Sequence, residues 1–209
     1  MDERIVALES QILRLETELE TLKNASPRVV DNFTFLEPGG TVSLVDLFGG
    51  RREMLVVHNM GASCAYCTAY ADGFNGILPH LLDRAAFVVV SPDPPDKQSA
   101  FAISRGWRFR MVSSSATSFS RDMGFEQAPT EYWPGAIGLS LDADGRKIVR
   151  TSFTSFDPGD KYSPIWPLMA LLGSLGTKSW VPRIVYKESQ RADRRRKDER
   201  RVVAPHSHR

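Results

Sequence analysis

The sequence predicts an α/β fold in which a central mixed sheet is flanked by helices. Three observations carry this expectation. Apolar runs of strand length alternate with helix-compatible segments through the middle of the chain. A late run turning at Asp144-Gly145 reads as an antiparallel hairpin. The 209 residues, 42% of them hydrophobic and 25% charged, suffice for one well-buried core with appendages but not for two full-sized domains.

Residues 1–24 form the first zone. Ile5, Leu8, Ile12, Leu15, Leu19 and Leu22 are spaced 3, 4, 3, 4, 3, a heptad seam. Isoleucine at two a positions with leucine at every d favours a parallel two-stranded coil, in which Arg4 faces Glu9 and Glu18 faces Lys23 of a partner. Residues 5–22 are therefore expected to make a homodimer. The competing reading is an amphipathic helix folded back on its own domain; the strict two apolar positions per seven lean toward dimerisation. "NASPRVV" then reads as a linker, with Pro27 as the helix stop.

Residues 25–176 read as the folded body. "TVSLVDLFGG" ends in a Gly-Gly turn, "EMLVVHNM" and "AAFVVVS" read as buried strands, and a helix starts near the cysteines between them. "PDPPDKQSAFAISRG" is a helix entered through prolines and stopped at Gly106. "WRFRMVSSS" is a short strand, "SFSRDMGF" one or two helical turns, "GAIGLSLDADGRKIVRTSF" the hairpin, and "SPIWPLMALLGSLG" a closing amphipathic helix.

Residues 177–209 form a basic tail. From Thr177 onward eleven Lys or Arg stand against four acids, so this segment carries +7 and the rest −5. "RADRRRKDERR" could hold RNA phosphates or an acidic protein face. No aromatic residues interleave its arginines, and a solvated tail is the favoured reading. No apolar core of signal-peptide type opens the chain and no stretch reaches membrane-spanning length, so the expected compartment is the cytoplasm.

The two cysteines, Cys64 and Cys67, are the only ones in the chain and form a C-x-x-C pair. In the cytosol such a pair is redox-active or metal-binding more often than a structural disulfide. A strand followed by C-x-x-C at a helix start supplies redox chemistry directly. Free N–H groups and the macrodipole at a helix N-terminus stabilise a thiolate at the first cysteine. One turn later the second thiol can reach the first sulfur and release a mixed disulfide. Cys64 is thus expected as the exposed nucleophile and Cys67 as the buried resolving thiol, with no cofactor. A zinc or copper site would need further ligands, and only His58, His80, His206 and His208 are on offer, the last two in the tail. His80 reads as a helix-surface or packing residue, and no metal is expected.

The order of apolar strand, "CAYC", helix, "FVVVSPD" and "PGAIGLSLDADGRKI" resembles thioredoxin-like proteins. More closely, "ADGFNGILPHLLDRAAFVVVS", "AFAISRGWRFRMVSS" and "SFSRDMGF" are similar to an uncharacterised bacterial thioredoxin-like family, a domain of unknown function, over Phe33 to about Phe156. The resemblance implies a thioredoxin-like fold. It also implies a proline, usually cis, before the antiparallel strand and facing the dithiol; Pro134 of "YWPGAI" is the candidate. His58 lies six residues before Cys64, where thioredoxins carry a buried carboxylate that exchanges protons with the resolving thiol. An imidazole there could take the Cys67 proton, or could be a packed core histidine. Tyr66, inside the motif, and Trp133, beside Pro134, are candidates to line a substrate groove. Trp107 reads as core or rim.

The activity expected is thiol–disulfide exchange, with a protein disulfide the favoured substrate and a small-molecule disulfide possible. Two alternatives compete. A peroxiredoxin-like thiol peroxidase shares the fold but needs a Thr or Ser hydroxyl three residues before its nucleophile, where this chain has Gly61. A non-catalytic dimeric binding module with a basic tail has no need of a dithiol poised at a helix start.

Overall fold

The computed structural model describes residues 2–173 and 180–186. Helix α1 (Glu3–Asn24) is started by Asp2, whose carboxylate accepts the Arg4 N–H, with Glu3 in its first turn and Lys23 in its last. Short strands β1 (Arg28–Val30), β2 (Thr34–Glu37) and β3 (Gly40–Ser43) follow, then a single 3-10 turn at Asp46–Phe48. Next come β4 (Glu53–His58), α2 (Ala65–Arg84), β5 (Ala86–Ser91), α3 (Pro95–Arg105), β6 (Arg110–Ser113) and α4 (Phe119–Asp122). The chain continues with a small ribbon of β7 (Glu126–Ala128) and β8 (Glu131–Tyr132), the hairpin β9 (Gly135–Leu141) and β10 (Ile148–Ser155), and α5 (Ile165–Ala170).

Local chemistry sets the element ends. Pro95 opens α3 with its ring at the first helical position, and Gly106 closes it at φ 69°, its N–H donating to the carbonyls of Ala102 and Ile103. The β9–β10 turn closes on Gly145, also at φ 69°, whose N–H reaches the Asp142 carbonyl. All six residues of β5 are buried, as a strand flanked by the parallel neighbours β4 and β6 requires.

The eight-stranded sheet has the order β1-β10-β9-β4-β5-β6-β2-β3. Sequence neighbours β1 and β2 therefore lie six strand positions apart, about 29 Å in a flat sheet. The chain from Val30 to Thr34 spans at most about 14 Å. Only a strongly curled sheet reconciles the two distances. Its concave side holds one core, to which all eight strands contribute: Val30, Phe35, Val42, Val56, Val88, Val112, Leu139 and Ile148 are examples, with Phe119, Met123 and Phe125 plugging it. The second core lies on the other face, where Val57, Phe87 and Val89 meet Tyr70, Ala71 and Leu78 of α2, together with Trp107, Phe156 and Trp166. The alternation of Val56 inward and Val57 outward is the period-2 rule of a strand.

Three expectations change. The supposed linker contains β1, paired antiparallel to β10 with Arg28 opposite Arg150, because the curl brings the two segments together. The closing helix is shorter than expected: α5 ends at Ala170 and buries Trp166, while residues 174–179 lie outside the described residues. The β2–β3 hairpin and the β7–β8 ribbon were not anticipated. The tail motif "RADRRRKDERR", with His206 and His208, lies outside the described residues. Among the described residues, no helix is long and apolar enough to cross a membrane.

Candidate active site

Strand β4 delivers the chain to the dithiol and fixes the loop that precedes it. Past His58, the Asn59 N–H still donates to Val90 on β5, at 2.8 Å. The buried Asn59 carboxamide oxygen then accepts the Gly61 N–H at 2.7 Å, turning the backbone. Gly61 sits at φ 107°, and a Cβ there would lie 2.8 Å from a carboxylate oxygen of Asp93. That oxygen accepts the Ala62 N–H at 2.7 Å, while the other pairs with Lys97 at 2.6 Å. Asp93 follows β5, so the ends of two parallel strands build the loop together.

Cys64 is the N-cap of α2, its backbone extended and its sulfur accepting the Cys67 N–H at 3.0 Å. Thr68 fastens the first turn by donating both its N–H and its hydroxyl to the Cys64 carbonyl, at 3.0 and 2.9 Å. Cys67, one turn on, is 3% exposed, and its sulfur accepts the Met60 N–H at 3.4 Å. Both thiols are free. The Cys67 thiol donating to Cys64, with backbone N–H groups aimed at the same sulfur, pulls the Cys64 pKa down to about 7 against the opposing effect of burial. Cys67 moves the other way: its bond to Cys64, its burial and the neighbouring negative charge hold it protonated. The two thiols are therefore polarised in opposite senses, Cys64 toward the thiolate and Cys67 toward the neutral thiol.

The remaining candidates separate. His58 shares the parity of Met54 and Val56, so it points into the concave core, away from the α2 face occupied by Val57. Its ring stacks on Phe125 at 4.0 Å and Phe119 at 5.3 Å, and Nε2 is buried with no hydrogen-bond partner among the described residues. Desolvation lowers its pKa to about 3. Of the two expectations for His58, this packing between Phe119 and Phe125 favours the core histidine over the proton relay, and burial weakens the ring as a base.

Pro134 precedes Gly135, which is opposite His58 in the β4–β9 register, so it lies at the end of the sheet where β4 leads toward the dithiol. Its peptide bond is trans rather than cis. Trp133 beside it is 47% exposed, with its N–H held by the Phe125 carbonyl. Tyr66 is half-buried against Trp166, ring centroids 6.0 Å apart, and so is turned in part toward the outer core. Trp107 is buried and donates its indole N–H to Asp72.

Sequence reasoning missed Asn59 and Asp93, and took Gly61 only as a missing hydroxyl rather than as the turn that brings Asp93 close. The available signal was an acid directly after a buried strand, in "VVVSPD", since loops beyond the carboxyl ends of parallel strands line the sites of such sheets. Among the described residues, no cluster of three or more His, Cys, Asp or Glu is placed to hold a metal ion.

Among solved structures, reduced Prx3 from Vibrio vulnificus is similar at 17% identity, covering 70% of this chain and 97% of that one, with a TM-score of 0.52. The same protein in complex with H2O2 covers 64% of this chain and 88% of its own at 17% identity, with a TM-score of 0.50. Peroxidoxin BcpB from Mycobacterium tuberculosis is 22% identical over 61% of this chain and 85% of its own, at 0.49. At 17% identity, the likeness to Prx3 at TM-scores of 0.50 and 0.52 establishes the fold alone, which is thioredoxin-like. No curated protein matches the chain. A family model described as a bacterial protein of unknown function matches residues 2–161, so the chain belongs to that family, DUF899.

Proposed function

We propose that this protein is a thiol–disulfide oxidoreductase acting on a protein disulfide through Cys64 and Cys67. The observation that carries the reading is the polarised pair at the α2 N-terminus, with Cys64 near pKa 7 and Cys67 buried and protonated behind it. The Cys64 thiolate attacks one sulfur of the substrate disulfide, forming a mixed disulfide and expelling the other sulfur as a thiolate. Once the Cys64 charge is consumed, the main influence raising the Cys67 pKa is gone. Cys67 then loses its proton to the expelled thiolate or to solvent and attacks the Cys64 sulfur. The substrate leaves as a dithiol, and the protein keeps the oxidised pair until an external dithiol reduces it.

The exposed Trp133, next to Pro134 at the same end of the sheet, offers an apolar bank for an extended client segment. A peroxide substrate is less well served. Gly61 occupies the position where a peroxidase would place a hydroxyl, and its φ of 107° against Asp93 leaves no room for a side chain.

The test is reduction of insulin with dithiothreitol as the electron donor. Wild type should accelerate it, Cys64→Ser should abolish the acceleration, and Cys67→Ser should accumulate a mixed disulfide detectable by mass. Faster oxidation of Cys64 by hydrogen peroxide than by disulfides would overturn the proposal in favour of the peroxidase. A Cys64/Cys67 potential near that of thioredoxin, about −270 mV, would mark a reductant.

A further inference from the structure

Among the described residues, the heptad seam of α1 is left largely uncovered by the body to which the helix is attached, with Leu19 bordering a groove shared with Tyr162 and Pro167. Ile5, Leu8, Ile12, Leu15, Leu19 and Leu22 are 50, 51, 56, 57, 51 and 63% exposed, and no residue of the helix is buried. The helix is held to the body by a different flank, and that flank is polar. Lys161 pairs with Glu20 at 3.0 Å and with Glu16 at 3.6 Å, and the Lys23 ammonium stands 5.8 Å from the centre of the Phe153 ring on β10. In heptad terms Glu16 and Lys23 are e positions and Glu20 is a b position. The a/d seam and the g flank (Arg4, Gln11, Glu18) are left facing outward.

We infer that this seam is the interface with a second copy of the chain, in a parallel two-stranded coil over residues 5–22. Charge complementarity selects both the partner and its direction. In the parallel arrangement g meets e of the other helix, setting Arg4 against the partner's Glu9 and Glu18 against the partner's Lys23, each pair occurring twice by symmetry. Among the described residues Arg4, Glu9, Glu18 and Lys23 have no ion pair of their own, Lys23 making only its longer-range contact with the Phe153 ring, so these charges are open to a partner. The antiparallel arrangement sets e against e and brings Glu9 opposite the partner's Glu16, like charges that oppose it.

Geometry agrees with the parallel choice. Each body attaches on the e side, and in a parallel coil the two e flanks lie on opposite sides. The bodies are then carried on either side of a seam about 27 Å long, the span of residues 5–22 within the helix.

The experiment is sedimentation equilibrium of the full chain under reducing conditions, which exclude disulfide-linked pairs. At about 50 μM the wild type should be dimeric, with dissociation on dilution. Leu8→Glu combined with Leu15→Glu alters only exposed positions, so it should give a monomer with an unchanged rate of Cys64 alkylation. Glu18→Lys should raise the dimer Kd about ten-fold, and adding Lys23→Glu in the same chain should restore it, because the reversed pair re-forms only when g meets e. A monomeric wild type at that concentration, or a doubly substituted seam that stays dimeric, would overturn the interface. A charge reversal without rescue would overturn the parallel direction.

Discussion

Lowering the pH reads out where the His58 imidazole sits. Its folded-state pKa is about 3 against an ordinary value of 6.5, and burial between Phe119 and Phe125 is the cause. Below pH 6.5 the unfolded chain takes up a proton at this histidine while the folded protein does not, so the unfolded state gains. The contribution of His58 is thus intact above 6.5 and is lost progressively as the pH falls toward 3.

Each pH unit in that window is worth about 1.4 kcal/mol, so a drop to about pH 5.5 should remove about 1.4 kcal/mol and a drop to about pH 4.5 about 2.8 kcal/mol. Against a typical domain stability of about 5–15 kcal/mol these are large losses. His58→Phe keeps a flat ring between the two phenylalanines and has no proton to gain. Urea unfolding of both proteins, followed by tryptophan fluorescence at several pH values, isolates the term. Carboxylates common to both proteins cancel in the difference, whose slope should be about 1.4 kcal/mol per pH unit. Equal slopes for the two proteins would refute the buried, neutral imidazole. Slower release of a mixed disulfide in His58→Phe at neutral pH would reinstate the proton relay.

Alkylation of Cys64 by iodoacetamide should follow a titration with its midpoint near pH 7; in Cys67→Ala, which removes the donating thiol, the midpoint should move upward. Because folding lowers the Cys64 pKa from 9.0 to about 7, wild type should gain stability relative to Cys64→Ser as the pH rises through this interval, a gain absent below it; paired urea titrations check this. Gly61→Ala should destabilise by at least about 2 kcal/mol in chemical unfolding, from a strained positive φ worth about 1–3 kcal/mol and a disturbed charge-assisted bond from Ala62 to Asp93. In an Asp93→Ala background the same substitution should be milder, and a change below about 0.5 kcal/mol in wild type would refute the close approach.

Much of this was legible from local chemistry. Strand β5 could be read because six consecutive buried residues admit few alternatives, and α3 because Pro95 and Gly106 punctuate it. Cys64 could be placed at a helix start because strand and motif adjoin. Legibility failed where meaning depends on partners distant in sequence. Arg28–Val30 has the composition of a linker and becomes a strand only by pairing with residues 148–150. Asp93 acquires its part in the dithiol loop only because β4 and β5 end side by side. The facing of His58 was within reach, since it shares its parity with Met54 and Val56, but spacing from Cys64 alone pointed elsewhere.

The curled sheet also bears on how the protein comes to be folded. Its two edges are closed by segments that leave the ribosome first: β1 waits for β10, and β2 waits for β6. Until residues 110–155 have emerged, Val30, Phe35 and Val42 have no concave surface to enter. Contacts so distant in sequence are slow to form, because loop closure must precede any gain from them. The rim of this sheet should therefore be the last part to acquire protection from hydrogen exchange during refolding, well after the β4–β5 centre and the dithiol helix beside it.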